Sequence, residues 1–192
     1  MRIIAGEFRS RTLLPPTGNI TRPITDRVKQ SVFDIVTPWL ENAVVYDLFA
    51  GTGSLGLESL SRGATSATFF ESDPPALDHL QKNIANLSVQ PRSKIVKTDI
   101  FKWFASAPEP TLRADVIFLD PPYAFLKDRP DDLKTLATQI ARKHLAPKGL
   151  VVFRHDVADT LDLPWLHSLD TRDYGSMRIQ FLTPPAPAAD VP

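Results

Sequence analysis

The sequence contains no cysteine. This excludes disulfide cross-links and any chemistry that runs through a thiolate, and it agrees with a cytoplasmic protein without establishing one. No run of eighteen apolar residues occurs, so no membrane-spanning helix is expected. The opening MRIIAGEFRSR lacks the apolar core of a secretory signal. No His or carboxylate cluster has the spacing of a metal site, so no metal is expected. Net charge is absent too, with 22 Lys and Arg against 22 Asp and Glu. The balance is uneven along the chain. Residues 1–30 hold Arg2, Arg9, Arg11, Arg22, Arg27 and Lys29 against Glu7 and Asp26, an excess of +4 that leaves −4 on the rest. A basic head on a mildly acidic body suits contact with a polyanion, and a plain solvated surface accounts for the same charges.

What is present is an ordinary globular composition organised around residues 44–58, VVYDLFAGTGSLGLE. Val44, Val45, Leu48 and Phe49 read as a buried strand. Gly51, Thr52 and Gly53 form a turn where side chains would collide with a ligand. Ser54 is placed to cap the following helix. A strand, glycine loop and helix in this order present backbone N–H groups at the carboxyl end of a sheet, where nucleotide-like ligands bind. Gly51-x-Gly53-x-x-Gly56, with Glu71 twenty residues after Gly51, fits a dinucleotide fingerprint and suggests NAD. Asp47 argues otherwise, because a carboxylate at the strand end would repel a pyrophosphate. It suits a ligand with a cationic amino acid end, such as S-adenosylmethionine (SAM).

The remaining pattern alternates strands with helices. Residues 2–14 predict a short strand or hairpin. Thr25 or Asp26 starts a helix to about Leu40, with Val28, Val32, Ile35, Val36, Trp39 and Leu40 on the core face and Arg27 and Lys29 toward a substrate. Helices follow over 54–62, 74–87, 100–105 and 131–145. Strands are expected over 66–71, 94–98 (ending at Asp99), 115–119 and 150–154, the last reached through Pro147-Lys148-Gly149. Residues 165–171 and 177–182 predict an antiparallel terminal pair. The expected architecture is an α/β, doubly wound sheet. A basic N-terminal extension over residues 1–24 precedes a domain over 25–183, and the Pro- and Ala-rich residues 184–192 read as a disordered tail.

Asp120-Pro121-Pro122-Tyr123 follows the most apolar strand. Two prolines fix the backbone and remove two N–H donors, so carbonyl groups are left as acceptors beside the Asp120 carboxylate. Such a set suits a planar base with an exocyclic amine. Asp120 and the Pro121 carbonyl each accept one amine hydrogen, and the Tyr123 ring stacks on the base. A base in a duplex would have to be flipped out or presented in a loop. Alternatively, the prolines merely end a strand and Asp120 caps the next segment.

Together, DLFAGTGSLGLE, FFESD, the Asp99 strand end and FLDPPY resemble a SAM-dependent amino methyltransferase. MRIIAGEFRSRTL, TRPITDRVKQSVFDIV and YGSMRIQFL narrow the resemblance to the bacterial small-subunit ribosomal RNA guanine-N2 methyltransferases, the RsmD family, over about residues 1–183. The resemblance implies a Rossmann-like class I methyltransferase fold with a seven-stranded, mostly parallel sheet and an antiparallel terminal strand. It implies methylation of a 16S rRNA guanine, guanine 966 in conventional numbering, with the rRNA naked or in a small-subunit assembly intermediate. By position, Asp47, Phe49, Gly51 and Gly53 would shape the SAM site, Glu71 would take the ribose hydroxyls, and Asp99 with the Ile100 backbone would face the adenine. Asp120, Pro121 and Tyr123 would take the guanine, and Arg9, Arg11, Arg22 and Arg27 the RNA. Phe49 serves equally as core and Asp99 as a helix cap.

Two departures stand out. Residues 9–11 read Arg-Ser-Arg where a glycine is common, and Arg154 lies where the family often has an acidic residue. Neither is expected to touch the methyl-transfer site. His155 is expected to be a satisfied structural histidine. The competing readings are an adenine-N6 DNA methyltransferase, a protein glutamine methyltransferase, an NAD-binding oxidoreductase and a non-catalytic RNA-binding assembly factor. DPPY has no role in the oxidoreductase, and no DNA-reading domain is recognisable.

Overall fold

The computed structural model describes residues 1–16 and 24–185. Arg22 and most of the expected tail lie outside the described residues. The chain runs through α1 (Asp26–Val36), β1 (Val44–Leu48), α2 (Ser54–Ser61), β2 (Ser66–Glu71), α3 (Pro74–Asn86) and β3 (Ser93–Lys97). It continues through α4 (Ile100–Ser106), β4 (Ala114–Leu119), α5 (Phe125–Asp128), α6 (Pro130–Gln139), β5 (Leu145–Asp156), β6 (His167–Tyr174) and β7 (Met177–Thr183). The seven strands form one sheet in the order β3-β2-β1-β4-β5-β7-β6. The first five are parallel, whereas β7 pairs antiparallel with both β5 and β6.

Both faces of the parallel strands are apolar, and the period of two sends successive residues into two different cores. Val45, Val116 and Phe118 join Val32 and Phe33 of α1, Leu57 of α2 and Leu80 of α3. Tyr46, Leu48, Ile117 and Leu119 join Phe104 of α4 and Leu133 and Leu136 of α6. The strand order reverses between β1 and β4, so a crevice opens outside their carboxyl ends.

Several elements differ from the sequence expectation, each for a local reason. The α-helix α1 ends at Val36 and continues only as a 3₁₀ turn, Thr37–Trp39, because Pro38 has no N–H for the helical ladder. Its N-cap is Thr25, whose Oγ1 accepts from Val28 N. The helix expected over 131–145 stops at Gln139 and passes through a π turn, Ile140–His144. β5 starts earlier than expected, pairs Leu145 with Ala114 and then Leu150 with Val116, and loops out the Pro147-Lys148-Gly149 segment between them.

Residues 2–14 fold back as a minimal hairpin, with one antiparallel bridge between Arg2 and Thr12 and with Ile3 N donating to Arg11 O at 2.9 Å and Leu13 N to Met1 O at 3.0 Å. Other backbone donors of the segment go to α2. Ile4 N and Ala5 N donate to the Glu58 carboxylate at 2.8 and 3.0 Å. Glu7 N donates to Ser61 O at 2.8 Å, and Phe8 N to Ser61 Oγ at 3.0 Å. The extension is therefore laid along α2, and its approach is so close that a Cβ on Gly6 would sit 1.8 Å from Ser61 O. Ser10 has φ +68°, which is the conformation glycine adopts most cheaply and accounts for glycine being at home in this turn.

Lys29 is the largest correction. It is buried rather than directed at a substrate. Its Nζ donates to Arg2 O at 2.6 Å and to Ser54 Oγ at 3.2 Å, and lies 3.3 Å from Glu58. Arg62 Nε donates to the same Glu58 at 2.8 Å. Burial lowers the Lys29 pKa, and the Glu58 charge opposes that shift. Removing Glu58 would strand a buried ammonium and two backbone N–H groups. Glu58→Ala is expected to cost about 3–5 kcal/mol in urea unfolding. A loss under about 1 kcal/mol would mean the extension is not held by this carboxylate.

Candidate active site

A cavity of about 400 Å³ occupies the crevice at the strand-order reversal. Asp47, Phe49, Gly51, Glu71, Asp99 and Ile100 line it, and so do Asp120, Pro122 and Arg154. Met1, Pro16 and Ile24 of the basic extension reach the same cavity.

The loop after β1 turns sharply. Phe49 takes φ +60° and Gly51 φ +55°. A Cβ on Gly51 would meet no protein atom within 4 Å, so this glycine borders open space. Gly53 does something different. At φ +84° it is packed, and a Cβ there would lie 2.5 Å from Leu80 Cδ1. It brings α2 against α3 while its neighbours Thr52 and Ser54 line the cavity. Gly56 admits Phe69 and Asp47 in the same way, since its Cβ would lie 2.4 Å from Phe69 Cε1. Ser54 is the first residue of α2 rather than its cap; the cap position is Gly53, and Ser54 Oγ instead accepts from Lys29.

Asp47 is buried, and its Oδ2 accepts from Gly56 N at 2.8 Å. Burial pushes its pKa up to about 8; the Gly56 N–H works against this, and the Asp120 and Glu71 charges add to it. Glu71 closes the loop. Its Oε2 accepts from Gly51 N at 2.7 Å, and its Oε1 accepts from Ser72 N at 2.7 Å and Asp73 N at 2.8 Å. Asp99 lines the cavity and also caps α4, its Oδ1 accepting from Phe101 N at 3.0 Å.

At the end of β4, Asp120 and Pro122 line the cavity, while Pro121 is packed into the protein and Tyr123 is half-buried. Tyr123 stands beside the cavity-lining Arg154, whose guanidinium carbon lies 5.9 Å from its ring. Burial raises the pKa of Asp120, and the neighbouring Arg154 guanidinium opposes the rise. Arg154 Nε donates to Asp120 Oδ1 at 2.5 Å. The expectation that Arg154 stays clear of this site is therefore wrong. His155 is satisfied as expected, with Nδ1 on Asp156 O at 2.8 Å and Nε2 on Gln180 Oε1 at 3.2 Å.

Sequence reasoning missed an aromatic wall. The Phe49 ring lies 5.9 Å from Phe101 and from Phe125, and Arg129 is stacked 4.0 Å over Phe101. These residues come from three segments, the loop after β1, α4 and α5 with its C-cap; Phe49 was singled out from the sequence, and Phe101 directly follows Asp99-Ile100. Arg9, Arg11 and Arg27 are exposed, and Arg11 Nη2 donates to Asn86 O at 2.7 Å.

Comparison with known proteins agrees with this geometry. A Bacillus subtilis protein named "Putative rRNA methyltransferase YlbH" is 35% identical over 157 residues, covering 81% of this chain and 83% of that protein. The Haemophilus influenzae "Ribosomal RNA small subunit methyltransferase D" is 38% identical over 125 residues, 65% of each chain. The solved structure titled "Putative methyltransferase yhhF from Escherichia coli" superposes with a TM-score of 0.83 at 29% identity, covering 97% of this chain and 99% of that one. The family described as "Conserved hypothetical protein 95" matches residues 1–183, and the chain belongs to it, the RsmD family.

Proposed function

We propose that this protein transfers a methyl group from SAM to the exocyclic N2 amine of a guanine in 16S ribosomal RNA. The carrying observation is one cavity shared by Asp47, Gly51 and Glu71 at the ends of β1 and β2 and by Asp120 at the end of β4. SAM fits the first set. Gly51 borders space a side chain would fill, Asp47 is a buried carboxylate suited to an ammonium, and Glu71 stands where ribose hydroxyls need an acceptor. Phe49, Ile100 and Phe101 offer apolar surface to an adenine.

When bound, SAM supplies an electrophilic methyl on a sulfonium, which the amine nitrogen takes as the carbon–sulfur bond breaks and sulfur keeps the electron pair. The chain's own contribution is placement and electrostatics. Asp120 accepts an amine hydrogen and aims the nitrogen, and the proton shed after transfer passes to Asp120 or water. Names of the relatives support an rRNA substrate, either naked or in a small-subunit assembly intermediate, and hence a cytoplasmic site of action. The N2 position and guanine 966 rest on the family resemblance.

The decisive measurement is transfer of labelled methyl from SAM to unmodified small-subunit rRNA and particles, followed by nucleoside analysis. N2-methylguanosine is expected; N6-methyladenosine would favour the adenine enzyme, and no transfer to either substrate the assembly factor. Asp120→Asn should slow transfer by about 30–1,000-fold, equivalent to roughly 2–4 kcal/mol, with SAM affinity nearly unchanged. Full activity in that variant would show that Asp120 does not hold the amine.

A second test is proton linkage at Asp47. In the ligand-free protein its pKa is about 8, above the ordinary value of about 4 in an unfolded chain. Its stabilising contribution is therefore complete at acid pH and is lost as pH rises toward 8. An ammonium beside Asp47 favours the carboxylate. SAM binding at neutral pH should therefore release nearly one proton, measured by calorimetry in buffers of different ionisation enthalpy. Asp47→Asn should abolish the release. Proton uptake in the wild type would contradict the assignment.

The basic extension makes a third test. Neutralising Arg9, Arg11 and Arg27 should weaken RNA binding and flatten its salt dependence by about 0.7–0.9 in log–log slope per lost phosphate contact, with SAM affinity unchanged. Wild-type binding across salt concentrations would reduce the extension to a structural element.

A further inference from the structure

Arg154 sits one residue beyond the last β5 position paired with β4, where Phe153 is in register with Leu119, and is itself in register with Ile179 of β7. This puts it beside Asp120, the residue that follows β4. The two side chains are only 11% and 17% exposed, and both line the cavity. The guanidinium carbon also lies 5.9 Å from the Tyr123 ring. Five carboxylate residues line this cavity, Asp47, Glu71 and Asp120 at the ends of β1, β2 and β4 and Asp73 and Asp99 at the starts of α3 and α4. The lining cations described are Arg129 and Arg154. Arg129 is engaged with the Phe101 ring and, at 2.7 Å, with Asp132. Arg154 is the one bonded to a member of the acidic group.

We propose that Arg154 is a positioning residue for methyl transfer: its Nε–H holds one Asp120 oxygen, fixing the rotation and the negative charge of the carboxylate that receives the target amine. The proposal rests on the reading above that Asp120 holds that amine. An ionised carboxylate has about four acceptor positions, so one bond to Arg154 leaves capacity for the amine hydrogens. A protonated Asp120 would instead present an O–H donor to a group that is itself a donor. Burial favours that unwanted form, and the guanidinium opposes it. Burial also works against the charge on Arg154, but the Asp120 carboxylate outweighs it and the net direction is upward. Arginine suits the position because it stays charged when desolvated and directs its donors in a fixed plane.

The charged and titratable groups around Asp120 are Arg154 from β5, Asp47 from β1 and Tyr123 in its own loop, with Glu71, Asp73, Asp99 and Arg129 also lining the cavity. The test uses the full-length chain, labelled SAM at saturation and unmodified small-subunit rRNA or particles in single turnover, from about pH 5.5 to 9.5. Saturating SAM keeps Asp47 ionised, so the acid limb of the rate profile reports Asp120. In Arg154→Gln the acid limb should move up by about 1–3 pH units, with transfer recovering toward the wild-type rate at high pH and SAM affinity unchanged. Arg154→Lys keeps a cation but loses the planar fork. Its limb should move the same way by a smaller step, and this variant carries the test if Arg154→Gln fails to bind SAM. A folded variant slowed equally at every pH, with the limb where the wild type has it, overturns the proposal. Asp120→Asn separates the two levels. If it is slow and has lost the acid limb while Arg154→Gln keeps a wild-type profile, only the role of Arg154 falls. If Asp120→Asn is as fast as wild type, the reading of Asp120 falls and the proposal with it.

Discussion

The parallel register of β1, β2 and β4 gathers negative charge at one edge of the sheet. Pairing Leu48 with Phe70 and with Leu119 forces the residues at and after those positions to share one crevice. Asp47, Glu71 and Asp120 are therefore neighbours by topology. Each is handled differently. Asp47 is buried with one backbone partner and prefers its proton, Glu71 is satisfied by three backbone N–H groups, and Asp120 is bonded to an arginine. Backbone donors hold Glu71 in place as part of the loop. All three carboxylates keep acceptor capacity toward whatever fills the cavity, Glu71 through the position its three backbone donors leave open, which is why their environments bear on function rather than on fold alone.

The basic extension obeys a different constraint. It lacks a sheet of its own, so its N–H groups need partners, and Glu58 and Ser61 of α2 supply them. Much of its positive charge is used internally. Lys29 is buried against Glu58, and Arg2 Nε is paired with Asp26 at 2.7 Å. Arg9 and Arg27 stay exposed, while the same segment delivers Met1 and Pro16 to the cavity. A polyanion gripped by the exposed arginines would thus lie next to the acidic crevice, and the extension would bring an electrostatically unwelcome substrate up to carboxylates that would otherwise repel it.

What was legible in the sequence was whatever depends on neighbours along the chain. The strand–glycine–helix unit, the acidic strand ends, Thr25 as a cap and the alternation of strands with helices all have local causes, and they appear where periodicity and turn residues put them. What failed depended on partners far away in sequence. Lys29 read as exposed because nothing within a helical turn announces Glu58, twenty-nine residues on. The packing of Gly53 on Leu80 was equally invisible, because a glycine required by a distant side chain looks the same as one required by a cofactor. Arg154 showed only as an oddity in an apolar strand. Its partner, 34 residues earlier, becomes visible once β4 and β5 are side by side.

The same electrostatics separate the two cofactors that the glycine pattern left open. A dinucleotide brings a pyrophosphate to the loop after β1, and there it would face Asp47, with Glu71 and Asp120 on the adjoining strand ends. Its charge would raise the already high proton affinity of Asp47 and gain nothing from Glu71, whose oxygens accept the same backbone N–H groups a phosphate would need. A sulfonium with an ammonium end reverses each sign. It would draw Asp47 toward its ionised form and leave the Glu71 hydrogen bonds undisturbed, and its positive charge would be welcome beside the Asp120 carboxylate that Arg154 holds. An arginine in an apolar strand and an aspartate buried without a cation at its side are both costly to the empty protein. Both costs fall on groups that a cationic methyl donor and a neutral amine would engage.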